Sequence, residues 1–153
     1  MSAPFPPIRR PPVRESRVLK PEEAEKAIEL VKQALPFFRA GEPIVHPDHV
    51  DVPVLYLDFA IDRVHYDPRT GNPSPKGAQS HTNPSPEGAK ERVDEALKEA
   101  KTLSGAEFRE AEECWVVPVA WKSFIILHVR VSADGSELIP DYHLTEEVRR
   151  HGI

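Results

Sequence analysis

Sliding the sequence against itself by 65 residues, without a gap, places Val52-Pro53-Val54 on Val117-Pro118-Val119 and Pro75 on Pro140. The same offset matches Phe59 with Phe124, Ile61 with Ile126 and Val64 with Val129. Upstream it sets Pro21-Glu22-Glu23-Ala24 on Pro86-Glu87-Gly88-Ala89, each at the head of a helix-like run. A unit of this size holds a helix and a few strands, too little to bury a core by itself. The 153 residues therefore read as α+β, with two pseudo-repeated units, each a helix packed on a small antiparallel sheet. Mutual packing of the units, with a dimer as a further means, supplies the missing burial.

Taken in order, residues 1–20 carry five prolines among basic and apolar residues, which excludes a helix and predicts an extended, flexible tail. The first unit spans 21–71. Pro21 suits the first helical turn and Glu22 and Glu23 its dipole. Ala24, Ala27, Ile28, Val31, Ala34 and Leu35 then form a stripe that needs a sheet to cover it. From Val50 to Tyr66 the alternation reads as one half-buried strand, or as two joined by a bend near Asp58. On that alternation Leu55, Leu57, Phe59 and Ile61 share one face, and Tyr56, Asp58, Ala60 and Asp62 the other. Residues 72–85 are a proline-rich linker between the units, with Asn-Pro-Ser-Pro at 72–75 and again at 83–86. The second unit, 86–153, predicts a helix to about Leu97 and strands over 112–121 and 124–131. Asp134-Gly135 is the hairpin turn, and a short last helix is capped by Thr145. Phe124-Ile125-Ile126-Leu127 is apolar on both faces and marks a central strand.

Charge narrows the partners. The net −5 divides into +4 over residues 1–20 and −9 over the rest. An acidic body argues against nucleic acid except through the basic tail, because phosphate binding needs a cationic face. No run approaches the ~20 apolar residues of a membrane span and the start lacks an apolar signal region, so a cytoplasmic, membrane-free protein is expected. The scarcity of Met, Cys, Asn and Gln beside abundant Glu, Arg and Pro suits a thermostable one. The single cysteine, Cys114, excludes an internal disulfide and sits in an apolar run as a buried, inert thiol.

The order helix, strands, then Asp67-Pro68-Arg69-Thr70-Gly71 in one half and Ala133-Asp134-Gly135 in the other resembles PepSY domains, here in tandem. The resemblance is carried by Pro21 to Leu35 with Val52 to Gly71, and by Pro86 to Leu97 with Val117 to Gly135. It implies a cystatin-like layer of one helix on a small antiparallel sheet, and a module that binds or restrains a partner without catalysis. Such relatives are usually exported, whereas this sequence shows no signal region.

Two clusters carry chemistry. His46-Pro47-Asp48-His49-Val50-Asp51 gathers two imidazoles and two carboxylates, and a zinc or another divalent metal fits His46, Asp48, His49 and Asp51. Pro47 rules out the helical spacing that would set the histidines side by side. A polar loop is the plainer reading. Asp58, Asp62 and His65 with Tyr56 form the second, a ligand-binding candidate. On a regular strand Asp62 and His65 point to opposite faces, and a solvated sheet face is the alternative. At the repeat offset the second half has Ala111, Cys114, Ser123, Leu127 and Arg130, so the first half is the more polar. A thiol nucleophile from Cys114 and His128 has no local signature, and phosphate loops, nucleophile elbows and zincin motifs are missing. The expected function is thus a non-catalytic binding or regulatory protein acting on a protein partner or on itself, with no cofactor. The alternative is a metal-binding protein or small metal-dependent enzyme built on His46 and His49.

Overall fold

The structure, a computed structural model, describes residues 5–8, 21–76 and 85–150. Most of the expected tail and positions 77–84 of the expected linker lie outside the described residues. In chain order the elements are α1 (Pro21–Ala34), a 3-10 turn (Leu35–Phe37), β1 (Arg39–Ala40), β2 (Ile44–Val45), β3 (Val50–Tyr56), β4 (Phe59–Asp67) and β5 (Asn72–Pro73). Then follow α2 (Ala89–Glu99), β6 (Lys101–Thr102), β7 (Glu107–Arg109), β8 (Cys114–Trp121), β9 (Phe124–Ser132), β10 (Leu138–Ile139) and α3 (Tyr142–Arg150). The protein is α+β, with two antiparallel sheets. One runs β1-β3-β4-β5 with β2 also on β3, and the other β10-β9-β8-β6 with β7 also on β8.

The prolines of the Val-Pro-Val motifs explain this layout. A residue in an antiparallel strand directs its N–H and C=O to the same neighbour. Pro53 O accepts from Gly41 N at 2.8 Å, so its missing amide hydrogen faces outward and leaves the β3–β4 ladder whole. The outer edge is then denied a return bond and breaks into β1 and β2. In the other sheet Pro118 O accepts from Leu103 N at 2.9 Å, and that edge breaks into β6 and β7. The register shifts at Val54/Leu55 in one hairpin and at Val119/Ala120 in the other. Leu57 and Lys122, with φ of 55 and 57, turn the two chains back.

The turn at Leu57-Asp58 selects the two-strand form of the segment 50–66 and changes which side chains are buried. Tyr56, assigned by alternation to the polar side, is wholly buried, while Leu57 is exposed at the turn. Every residue of β3 is buried, because its second face is covered by α3 at Leu55, by Gly41 beside Pro53 and by the histidines around Asp51. There Ile44, Leu55 and Ala60 meet Leu144 and Val148 in a small cluster apart from the main core. Asp141 rather than Thr145 caps α3. Its Oδ1 accepts Leu144 N at 2.9 Å, and the Thr145 hydroxyl accepts Ala60 N at 2.9 Å and donates to Asp141 O at 2.7 Å.

The stripe of α1, with Ala27, Val31 and Ala34 buried, lies on β8, β9 and β6, whereas α2 packs mainly on β1, β5, β3 and β4. Each helix thus covers the sheet formed by the other half of the chain. Asp62 ties the sheets together: it accepts Lys76 Nζ at 2.9 and 2.8 Å and His128 N at 2.8 Å, while Lys76 N donates to Ile125 O at 2.8 Å. The segment read as linker opens with β5, paired to Tyr66 and Asp67. Residues 5–8 cross the body: Tyr56 Oη donates to Pro6 O at 2.7 Å and Leu138 N to Pro7 O at 3.0 Å. No helix among the described residues is long and apolar enough to cross a membrane.

Gly135, with φ of +74, presses its turn onto α1. A Cβ there would stand 2.8 Å from Lys26 Cβ and 2.9 Å from Glu23 O. Gly135→Ala is expected to lower stability by about 2 kcal/mol, measured by urea unfolding; an unchanged midpoint would show that this contact does not constrain the fold.

Candidate metal centre

The centre of the site is Asp51 on β3, only 1% exposed. Sheet register decides what surrounds it. Strand side chains alternate, so His49 and Asp51 share a face, as do Arg63 and His65. Asp51 pairs with His65 across β4 and with Ile44 across β2. His46 N donates to His49 O at 2.8 Å, so Pro47 and Asp48 form the tip of the β2–β3 hairpin and the two histidines stand opposite one another. Their rings stack at 4.3 Å. Pro47 does prevent a helix, as its covalent geometry requires. A tight turn reaches the same juxtaposition by another route.

Four groups converge on one carboxylate. His65 Nδ1 is 2.6 Å from Asp51 Oδ1; since a carboxylate only accepts, this ring carries its proton on Nδ1. On Oδ2, His46 Nε2 stands at 3.1 Å, His49 Nε2 at 3.4 Å and Arg63 NH1 at 3.3 Å. The other Arg63 nitrogen, NH2, is 3.8 Å from Glu147 Oε1 on α3. His49 Nδ1 lies 2.6 Å from Asp48 Oδ1 and by the same rule donates to it. That fixes the His49 tautomer, and in the neutral ring a lone pair on Nε2 points toward Asp51. His46 Nε2 is shut off from solvent and, despite its 3.1 Å approach to Asp51, is not aligned for any hydrogen bond.

His46 Nε2, His49 Nε2 and Asp51 Oδ2 are ligand-type atoms, and the three residues can place one each within 4.8 Å of one another. Asp48 is the outer carboxylate that orients His49, the usual second partner of a metal-ligating imidazole. Of the other candidates, only His65 belongs to this cluster. Asp62 is engaged between the sheets on the opposite face, Asp58 is exposed at a hairpin turn, and Tyr56 is in the core. Arg63, which is not among the sequence candidates, also reaches Asp51. Its i,i+2 spacing from His65 was the available signal. Cys114 and His128 are not register partners, since Cys114 pairs with Ser132 and His128 with Pro118. Burial, then the neighbouring Glu112, pushes the Cys114 thiol up to about 11, so no thiolate forms at neutral pH.

No protein-family model, curated protein or solved structure matches the chain. The likeness to PepSY domains accordingly rests on the sequence motifs alone.

Burial by itself pushes the Asp51 carboxyl up, but the hydrogen bond from His65 and the charges of His65, His49 and Arg63 outweigh it and hold the group at about 2, against an ordinary 3.8. A folded-state value below the unfolded one stabilises the protein above pH ~4, and this contribution disappears as pH falls through about 2. The expected size is about 2 kcal/mol. In chelator-treated protein, the stability gap between wild type and Asp51→Asn should shrink by that amount between neutral pH and about pH 2, read by urea unfolding. A gap independent of pH would show that the neighbours do not hold the charge.

Proposed function

We propose that this chain is a binding protein whose ligand is a divalent transition-metal ion of the zinc class, held by His46, His49 and Asp51. The observation that carries the reading is the buried His46 Nε2, which lacks a hydrogen-bond partner beside the His49 lone pair and a carboxylate oxygen. In the tautomer that carries its proton on Nδ1, His46 turns a lone pair toward these atoms, and electron-rich atoms in such contact repel unless a cation lies between them. In a tetrahedral site with bonds of about 2.1 Å, ligand atoms stand about 3.4 Å apart, close to the 3.1 and 3.4 Å separations from Asp51 Oδ2. Two imidazoles and one carboxylate suit zinc and its neighbours rather than calcium or magnesium. Three protein ligands leave a further position for water. Arg63 occupies the same oxygen and has Glu147 as its second partner, so an incoming ion leaves the guanidinium a carboxylate to pair with.

A second reading, contact with proteins, is supported by residues 5–8. The body already takes an extended proline-rich segment, through Tyr56 and Leu138 and through edge-on contacts of Phe5 with Phe37 and Tyr56. We also read the two hairpins as copies, a view supported by register shifts and positive-φ turns that fall 65 residues apart.

Untagged, chelator-treated protein is expected to bind one Zn²⁺ by calorimetry, and His46→Ala and His49→Ala each to weaken it by about 100-fold, with circular dichroism unchanged. Equal affinity in the double variant sinks the metal reading. For the second reading, protein lacking residues 1–20 should capture a labelled peptide of those residues, followed by fluorescence anisotropy. Failure to bind would remove the second reading.

A further inference from the structure

A cavity of about 460 Å³ opens between the C-terminal ends of α1 and α2, beside β1, and shares no lining residue with the histidine turn. Leu35, Pro36, Phe38, Leu97 and Ala100 supply its apolar wall, and Lys32, Arg39 and Lys98 stand around it. The volume falls in the range of small-molecule sites, which combine apolar walls with a few polar groups. The walls are braced, because Asp94 Oδ1 accepts Ala40 N at 2.6 Å and so clamps α2 to β1. That bond also engages the only acid of the lining.

The sign of the charge identifies the occupant. Residues 21–153 carry −9 in total, yet this lining holds three cations against one carboxylate. Among the described residues, none of the three side chains has an ion-pair partner. Lys32 and Lys98 lie in the last turns of their helices, where carbonyl ends favour a cation. Arg39 has no such reason for its position, and its planar fork matches a carboxylate. An uncharged ligand would leave these charges unused, and a cationic one would be repelled.

We infer that this cavity binds a small amphipathic anion, a carboxylate on an aliphatic body, with the head at Arg39 and the tail against Phe38 and Leu97. The inference is independent of the metal centre. The probes are decanoate, decanol and decyltrimethylammonium, which share a tail and differ in charge, each titrated by calorimetry into the full chain. Decanoate should bind at one site per chain, about tenfold more tightly than decanol, and the cation most weakly. The double variant Arg39→Glu/Lys98→Glu should reverse that order, and Ala100→Phe, which fills the cavity without changing charge, should abolish binding of all three. Both variants are checked for wild-type unfolding midpoints. Equal binding of decanoate and decanol, binding that survives Ala100→Phe in folded protein, or no decanoate binding each overturn the inference.

Discussion

A missing amide hydrogen governs the architecture. Pro53 and Pro118 sit in the middle of their strands, where proline ordinarily destroys a ladder. Here each directs its only backbone acceptor to the outer edge, toward Gly41 and Leu103, so the long inner hairpins keep their hydrogen bonds. The loss falls on the edges, which are cut into two-residue and three-residue pieces. Short, broken edges resist pairing with other chains. The break also forces a second hairpin, β2–β3, and the tip of that hairpin carries His46 and His49.

The proline thus bears on chemistry through geometry. Once the edge is split, β2 re-enters beside Asp51, and period-two alternation brings His46, His49, His65 and Arg63 to the same face. A buried carboxylate costs several kcal/mol unless paired and hydrogen-bonded, and Asp51 collects one hydrogen-bonded imidazole, two further imidazoles and a guanidinium. No single partner suffices. α3 closes the neighbouring part of this face over Leu55 and Ala60, and its Glu147 balances Arg63. The last helix is therefore linked electrostatically to the site, although the sequence showed it only as a short capped helix with no stated neighbour.

What could be read from the sequence was what depends on local period: the helices at Pro21 and Ala89, the hairpins around Asp58 and Lys122-Ser123, and the turn at Gly135. The opposed facing of Asp62 and His65 followed from parity. Parity failed for Tyr56 because a turn residue with positive φ restarts the alternation, which leaves Tyr56 on the main-core face against Phe38. Thr145 was mistaken for a cap because Asp141, four residues earlier, performs that role while Thr145 binds Ala60 across the fold. The exchange of helices between sheets was invisible, since an apolar stripe states that it needs cover and not which sheet provides it. The stacking of His46 on His49 was hidden for a related reason. Proline excludes one geometry that would join them, and only long-range pairing with β3 selects the other.

The hairpins share register shift and turn conformation, yet only one gathers imidazoles around a buried carboxylate on its outer face. The positions equivalent by offset to His46, His49, Asp51 and His65 are Ala111, Cys114, Val116 and Arg130. The backbone therefore does not require the cluster: β8–β9 makes the same ladder with an inert thiol and a valine, as far as its shared register extends. Asp51 would be a liability in a purely structural role, since a valine at that position avoids the desolvation of a charge and the histidines needed to offset it. The cluster around Asp51 is thus a matter of side-chain choice, laid on a ladder that the other sheet builds with a valine at the same position.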